Sequence, residues 1–344
     1  MNAEIKPGYT KERQRLADIV PLEAPFTLFV SPTQICNFKC FYCTHSKSNE
    51  ELDKIGFCRR HIDNRLFDKI CDDAQKFGGK IKRVLFTGLG EPLANPMLPD
   101  MISAMREKKI AQGYEIVTNA YLLSHSVTDR LLSAGLTFLR VSIQGLTAKK
   151  YKEITGADID FSRLLDNLTY FYSKKGSCKL YIKIMDACFD EGETVDDFYK
   201  MFGNICDHIY IEHLTTAQPS MMKDYSAEVN SRKTFYGDAS VRRSVCPYAF
   251  YTLQIDSSGN TFPCPPLGHS EKYSLGNAGV TSIYDIWNSD KLYDLQSEML
   301  KNGIEAVEFC KNCENYLCFT PEEDNLDNDR EAILKRLEAR KCQK

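Results

Sequence analysis

The sequence predicts an α/β fold, an open or partial barrel of six βα units. Two patterns support it: short β-branched and aromatic runs, alternating with longer segments that place apolar residues three and four positions apart. Strands joined by crossover helices run parallel, and ligands bind at their C-terminal ends. The predicted strands are Phe26–Ser31, Val84–Thr87, Tyr114–Thr118, Phe138–Ile143, Leu180–Met185 and His208–His213. The predicted helices are Asn64–Phe77, Pro99–Lys109, Val127–Ala134, Phe161–Ser173 and Thr194–Asn204.

Composition and charge limit the classes of function. The 344 residues, 43% of them hydrophobic, are enough for one large domain and a smaller one. The formal net charge of −3 provides no basic field for nucleic acid or an anionic membrane. The charged N-terminus lacks a signal-peptide pattern, and no apolar run reaches the roughly 18 residues of a membrane helix. We therefore expect a cytoplasmic protein with no nucleic-acid or membrane partner.

The strand and helix pattern changes after about Ala217. A polar stretch, Gln218–Arg243, is followed by a hairpin-like segment between Thr252 and Phe262. The charged tail, Glu322–Lys344, has the pattern of one helix with a solvated face. We expect three parts: an N-terminal lead-in over 1–25, the barrel over 26–217 and a small α+β domain over 218–344.

Three of the fourteen cysteines, Cys36, Cys40 and Cys43, lie within eight residues after the first predicted strand. In a reducing compartment, clustered cysteines bind metal more often than they form disulfides. A structural zinc site or an ordinary electron-transfer cluster has four protein ligands, whereas three cysteines leave one iron of a four-iron cluster open. A zinc site completed by His45 is the alternative. The scattered cysteines are interpreted as small buried apolar residues: Cys58, Cys71, Cys178, Cys188 and Cys206.

The spacing Cys-x3-Cys-x2-Cys, with Tyr42 in the aromatic place before the third cysteine, resembles the signature of the radical S-adenosylmethionine (SAM) superfamily. The resemblance implies a partial (β/α)6 TIM-like barrel in which the three cysteines hold a [4Fe–4S] cluster. It also implies that the open iron binds SAM, and that an electron from the cluster cleaves SAM to methionine and a deoxyadenosyl radical. An electron donor such as flavodoxin or ferredoxin is an implied partner.

Further motifs follow the later predicted strands. The segment Gly88-Leu-Gly-Glu-Pro92 is similar to the family's Gly-Gly-Glu-Pro motif, which receives the ammonium group of SAM, although Leu89 replaces its first glycine. Asn119 and Ser142 match family positions near the ribose and carboxylate, and Gln144 stands where the family usually has aspartate. The implied cofactor-binding residues are Tyr42, Gly88, Gly90, Glu91, Asn119 and Ser142. Tight turn geometry and turn capping are the structural alternatives.

The cysteines of the last third resemble the SPASM or shorter twitch domain found behind many radical SAM barrels. Cys246 is followed by Gly259 and Cys264, and the pair Cys310 and Cys313 comes later. The resemblance implies one auxiliary [4Fe–4S] cluster on these four cysteines, because Glu322 stands where the full SPASM pattern has another. Two alternatives remain: a second cluster that recruits Cys318 and Cys342, and zinc at Cys310 and Cys313.

An auxiliary cluster near the substrate can accept an electron from a substrate radical. Twitch-bearing relatives resemble dehydrogenases of amino-sugar and cyclitol alcohols, so the resemblance implies an oxidoreductase that abstracts hydrogen from a small hydroxylated substrate (a sugar, amino sugar or cyclitol) and dehydrogenates or epimerises it. The short segment before Phe26 and the presence of Pro265, where sulfatase-activating relatives have a catalytic aspartate, favour a small substrate.

Three other functions remain open. One is a radical SAM maturase that modifies a ribosomally made peptide or protein; another is an RNA-modifying methyltransferase; a third, of a different class, is a two-cluster iron–sulfur electron carrier. The candidate bases for deprotonating a carbinol are Lys183, Tyr210, Glu212 and His213. The sequence does not choose among them, because the strand register decides which side chains face the barrel interior.

Overall fold

The computed structural model describes residues 1–9, 12–54, 57–215, 233–265 and 271–342. The strands in these ranges are β1 (Glu4–Ile5), β2 (Thr27–Val30), β3 (Ile81–Phe86), β4 (Ala111–Thr118), β5 (Phe138–Ile143), β6 (Lys179–Met185), β7 (His208–Glu212), β8 (Thr252–Ile255), β9 (Asn260–Phe262) and β10 (Gly276–Asn277). They form one sheet in the order β1-β7-β6-β5-β4-β3-β2-β8-β9-β10. The sheet is open, because β1 and β10 are its two edges.

The helices of the described ranges are α1 (Leu16–Ile19), α2 (Asn49–Lys54), α3 (Asn64–Gln75), α4 (Leu98–Glu107), α5 (His125–Ala134), α6 (Ala148–Thr155), α7 (Phe161–Lys174), α8 (Val195–Phe202), α9 (Tyr248–Tyr251), α10 (Ile283–Trp287), α11 (Asp290–Asn302) and α12 (Arg330–Cys342). No helix among the described residues is long and apolar enough to cross a membrane.

The predicted fold class is confirmed. Strands β2 to β7 are parallel neighbours, and helices connect them in chain order. Helix α6 was not predicted, and the predicted tail helix is wrong in its first eight residues. Arg330 begins α12, and two short 3-10 turns lie before it, Glu322–Asp324 and Asp327–Asp329.

The C-terminal part of the chain extends the barrel sheet. Strand β8 pairs in parallel with β2, from Thr27 opposite Thr252 to Val30 opposite Ile255. Beyond the strand end, the Ser31 N–H donates to the Ile255 carbonyl at 2.9 Å. The β8–β9 hairpin is therefore joined to the strand that leads into the three-cysteine segment. The predicted boundary near Ala217 and most of the polar stretch lie outside the described residues.

Strand register separates the two faces of the sheet. On β6, Leu180, Ile182 and Ile184 are at most 1% exposed and belong to the main hydrophobic core. Lys183 alternates with them and lies on the opposite, concave face. The pairing of β5, β6 and β7 places Ser142, Lys183 and Tyr210 side by side on that face.

Candidate functional site: the cysteine loop and the strand ends

The loop that carries the first three cysteines follows β2 at the C-terminal edge of the sheet. Backbone hydrogen bonds connect this loop to helix α6 and also stabilise its own turn. The Lys39 and Phe41 N–H groups donate to the last carbonyls of α6, those of Thr155 and Ile154, at 2.9 and 3.1 Å. The loop also folds on itself, because the Cys43 N–H donates to the Cys40 carbonyl at 2.8 Å. Helix α6 therefore fixes the segment in which the thiols lie.

The three cysteines of this loop are half-buried and lie close together. Burial raises the pKa of Cys36 to about 12, and the neighbouring Glu91 and Cys43 add to this shift. Burial also raises the pKa of Cys40 and of Cys43, and for Cys40 the other two thiols contribute. The protein itself supplies little stabilisation for three thiolates here. A cationic iron cluster would supply it, because metal binding favours the deprotonated ligand.

The Gly88–Pro92 turn packs directly on the chain that leads into the cysteine loop. Gly88 has a φ of +127°, and a Cβ there would lie 2.7 Å from the Ser31 Oγ. A Cβ on Gly90 would lie 2.4 Å from the Thr33 carbonyl oxygen. The Glu91 N–H donates to the Ile35 carbonyl at 2.9 Å. Both glycines therefore permit a close backbone approach that positions the loop.

Glu91 connects this turn to the end of β4. Its buried carboxylate accepts hydrogen bonds from the Thr118 hydroxyl at 2.5 Å, the Asn119 N–H at 2.8 Å and the Leu93 N–H at 3.0 Å. Burial raises the pKa of Glu91, and these hydrogen bonds oppose the shift. Asn119 in turn donates from its Nδ2 to the Oδ1 of Asn37 at 2.9 Å. These hydrogen bonds form one polar network that joins the Gly88–Pro92 turn, the end of β4 and the cysteine loop, all three of which are predicted to surround the cofactor.

Tyr42 connects the cysteine loop to the end of β5. Its hydroxyl is hydrogen-bonded to the side-chain oxygen of Gln144, and the Gln144 Nε2 donates to the Ser142 carbonyl at 3.1 Å. Gln144, which replaces the family's usual aspartate, therefore fixes the predicted aromatic residue against the strand. Of the predicted cofactor-binding side chains, Ser142 is the one that lies on the concave face.

A small hydrophobic cluster lies next to His45, two residues after the third cysteine of the loop, and the sequence did not reveal it. Leu52, Phe57 and Leu89 form it, and the His45 ring packs edge-on against Phe57 with 5.2 Å between ring centroids. Leu89, which stands where the family motif has glycine, is a member of this cluster. The Nε2 of His45 is hydrogen-bonded to the Leu89 carbonyl. That nitrogen already has a protein partner, which argues against the zinc alternative.

The four C-terminal cysteines come from separate segments but converge. Burial raises the pKa of Cys264, and the thiols of Cys246, Cys310 and Cys313 each add to the shift. Burial also raises the pKa of Cys246 to about 12, with Cys313 contributing. Cys310 is buried and the other three are half-buried, and these four neighbouring free thiols form a second donor set whose chemistry suits an iron–sulfur cluster.

The two remaining C-terminal cysteines differ from this set. Cys318 is buried near Cys313, and its Sγ accepts a hydrogen bond from the Thr215 hydroxyl at 3.1 Å. Cys342 is exposed at the end of α12. Within the described ranges, no three His, Cys, Asp or Glu side chains converge tightly enough to hold a single metal ion.

The strand register shows which of the candidate bases lie on the concave face of the sheet. Lys183 and Tyr210 share the concave face with Glu212, and the Lys183 Nζ lies 2.5 Å from a Glu212 carboxylate oxygen. Glu212 is 3% exposed, and the Tyr210 hydroxyl donates to the Tyr236 carbonyl at 3.1 Å. His213 comes after the strand, where its Nδ1 lies 2.8 Å from Asp186. Of the four candidate bases, Lys183, Tyr210 and Glu212 therefore lie on the same face as Ser142.

Comparisons with known proteins agree with this arrangement. The family described as the radical SAM superfamily matches residues 30–202, and an iron–sulfur cluster-binding domain, SPASM, matches 246–314. A probable GTP 3',8-cyclase from Methanococcus vannielii is 35% identical over 180 residues, 52% of this chain and 56% of the relative. The chain spans about half or less of the length of the GTP 3',8-cyclases that it matches.

A cofactor-modifying protein of the tungsten-containing aldehyde ferredoxin oxidoreductase from Pyrococcus furiosus is 29% identical over 77% of this chain and 81% of its own. Two solved structures share the fold. The anSMEcpe protein with bound AdoMet has a TM-score of 0.57 at 15% identity, covering 93% of this chain and 98% of that one. BtrN in complex with AdoMet and 2-DOIA has a TM-score of 0.53 at 18% identity, covering 87% and 97%.

The superfamily match spans half of the chain and begins at the end of the strand that precedes the three-cysteine loop. The second match begins at Cys246 and ends just after Cys313. The chain therefore belongs to the radical SAM superfamily, and it is an enzyme that uses SAM and [4Fe–4S] clusters.

Proposed function

We propose that this enzyme is an oxidoreductase that abstracts hydrogen from a small hydroxylated substrate, such as a sugar, amino sugar or cyclitol, and oxidises a carbinol to a carbonyl. One observation carries the proposal. Two members of the second thiol set, Cys246 and Cys264, flank the hairpin whose first strand, β8, is hydrogen-bonded to β2, the strand that leads into the first set. An auxiliary cluster held by the second set could therefore accept the electron that the substrate radical loses.

The residues of each site are part of the proposal. Cys36, Cys40 and Cys43 hold the first cluster, and Tyr42, Gly88, Gly90, Glu91, Asn119 and Ser142 surround the bound SAM. Cys246, Cys264, Cys310 and Cys313 hold an auxiliary cluster. When bound, these groups supply the deoxyadenosyl radical and the electron transfers. The protein orients them, and the hydrophobic cluster of Leu52, Phe57 and Leu89 packs next to His45.

The substrate faces the concave layer formed by Ser142, Lys183 and Tyr210. Oxidation of a carbinol removes a hydrogen atom, an electron and a proton, so this layer must contain a proton acceptor. Glu212 is a carboxylate on this face, and the paired Lys183 ammonium holds it in place at 2.5 Å. We propose that Glu212 accepts the proton and that Lys183 orients the substrate hydroxyl.

The test uses anaerobically reconstituted, dithionite-reduced protein with SAM and a panel of carbinol-deuterated amino sugars and cyclitols. The expected result is deuterium transfer into deoxyadenosine together with a substrate that has lost two hydrogen atoms. Glu212→Gln should keep the deuterium transfer and lower formation of the carbonyl product, whereas Lys183→Met should raise the KM. SAM cleavage without deuterium transfer from any member of the panel would contradict the proposed substrate class and favour the maturase, and a protein that does not cleave SAM would indicate an electron carrier.

A further inference from the structure

Asn37 lies between the first two cysteines of the loop, and only one of the two polar atoms of its side-chain amide has a hydrogen-bond partner. Its Oδ1 accepts the hydrogen bond from the Asn119 Nδ2 at 2.9 Å. Its Nδ2 is buried and has no hydrogen-bond partner among the described residues. Asn37 is not part of the three-cysteine signature.

The orientation of this amide follows from its neighbours. The Asn119 Oδ1 accepts the Tyr121 N–H at 3.0 Å, so the Asn119 Nδ2 must be the end that faces Asn37. The Asn37 Oδ1 therefore faces Asn119, and its Nδ2 lies on the other side of the amide. The Asn119 backbone is fixed as well, because its N–H donates to Glu91 at 2.8 Å. The hydrogen bonds therefore run from Glu91 to Asn119 and from Asn119 to Asn37. The Nδ2 of Asn37 is the donor at the end of this series, and it has no partner among the described residues.

An unused buried donor is costly. Leaving an N–H group unpaired away from water destabilises a protein by about 1–3 kcal/mol, so such groups nearly always have a partner. This donor lies on the cysteine loop, and the hydrogen bond that orients it comes from Asn119, a residue proposed to bind SAM. The nearest cysteine, Cys36, already accepts the Phe38 N–H at 3.4 Å through its sulfur. The missing partner is therefore an acceptor that arrives with the cofactor.

We propose that the Asn37 Nδ2 donates a hydrogen bond to an oxygen of bound SAM, which makes Asn37 a cofactor-positioning residue. This inference rests on the proposed SAM site but not on the proposed substrate. The carboxylate and the ribose hydroxyls of SAM are the candidate acceptors, and both require a donor at this place. The single donor at the end of the series selects an oxygen and would not suit an ammonium group.

The experiment compares SAM binding by reconstituted wild-type protein, Asn37→Asp and Asn37→Ala. Asn37→Asp keeps an oxygen that can accept from Asn119 but replaces the donor by a second acceptor and adds a negative charge, whereas Asn37→Ala removes the donor without adding charge. We expect the Kd for SAM, measured by anaerobic equilibrium dialysis, to rise about tenfold or more in both variants. Iron content and the spectrum of the reduced clusters without SAM should stay as in the wild type.

Asn167 on α7 provides a matched control, because its Nδ2 is also buried without a partner among the described residues. Asn167→Asp should leave the Kd for SAM unchanged. An unchanged Kd in Asn37→Asp would overturn the inference and leave Asn37 with only its structural bond to Asn119. A changed cluster spectrum before SAM is added would also overturn it and assign the donor to the cluster. A wild-type protein that binds no SAM would instead contradict the proposed function.

Discussion

The two cysteine sets of this enzyme are built in opposite ways. The first set occupies eight consecutive residues, Cys36 to Cys43, on a loop that α6 and the Gly88–Pro92 turn hold from outside. The second set joins Cys246 and Cys264 to Cys310 and Cys313, which follow α11. A local set can be read from its spacing, whereas an assembled set depends on the tertiary fold that brings its segments together. Mutations should therefore affect the two sets differently.

The largest effect should come from the local set. Cys40→Ala leaves two of the three expected ligands, so the first cluster should be lost and the total iron should fall by roughly four atoms per chain. SAM cleavage should become undetectable in an anaerobic assay with dithionite. Cys206→Ala is the matched control, because Cys206 is a buried free cysteine in the hydrophobic core. Cleavage by Cys40→Ala at the wild-type rate would contradict the assignment of this loop.

A mutation in the assembled set should separate the two clusters. Cys264→Ala removes the thiol whose pKa responds to the other three, so roughly four iron atoms should again be lost. The protein should still cleave SAM, but formation of the carbonyl product should fall by at least tenfold. Cys318→Ala and Cys342→Ala should keep the iron content measured for the wild type. Loss of iron in Cys318→Ala would instead favour the alternative in which Cys318 is a ligand.

Gly90, whose backbone packs against the chain that enters the cysteine loop, should not tolerate an added Cβ atom. Gly90→Ala places a Cβ 2.4 Å from the Thr33 carbonyl oxygen and 2.8 Å from that of Ile35, so the chain entering the cysteine loop must move. We expect a loss of about 2–3 kcal/mol in the free energy of unfolding and less iron after reconstitution. Gly78→Ala, where a Cβ meets nothing within 4 Å but φ is +62°, should cost only about 1–2 kcal/mol and keep its iron. Equal iron content in the two variants would contradict a positioning role for Gly90.

The same contrast explains how much could be predicted from the sequence. Alternating β and α patterns located all six central strands, because buried parallel strands contain recognisable β-branched and aromatic runs. Helix α6 was missed, although its last carbonyls hold the cysteine loop, because its sequence AKKYKEIT is mostly polar. The packing of Leu89 with Leu52 and Phe57 was also missed. Tertiary packing decides such contacts, and no local pattern encodes them.

The polar contacts of Glu91 were equally invisible in the sequence. The motif resemblance assigned Glu91 to the ammonium group of SAM, and the structure adds three protein donors to its carboxylate. Strand register decided the candidate bases in a similar way. Residues 183, 210 and 212 lie on one face only because β6 and β7 pair at Lys183 and Tyr210. Sequence spacing contains no information on that pairing, so the bases stayed unresolved until the sheet was known.

The smallest effect should arise in the network that joins the turn to β4. Glu91→Gln replaces one carboxylate oxygen by an NH2 group, which then faces a donor: the Thr118 hydroxyl and Leu93 N–H on one side, or the Asn119 N–H on the other. Two buried donors facing each other should lower the free energy of unfolding by about 2 kcal/mol, measured by urea denaturation of the reduced, cluster-free protein. Thr118→Val leaves the carboxylate two other donors but also removes the acceptor of the Ala120 N–H, so it should cost about 1–3 kcal/mol. A Glu91→Gln variant as stable as the wild type would mean that this carboxylate does not bind the turn to β4, and its role would then lie with SAM alone.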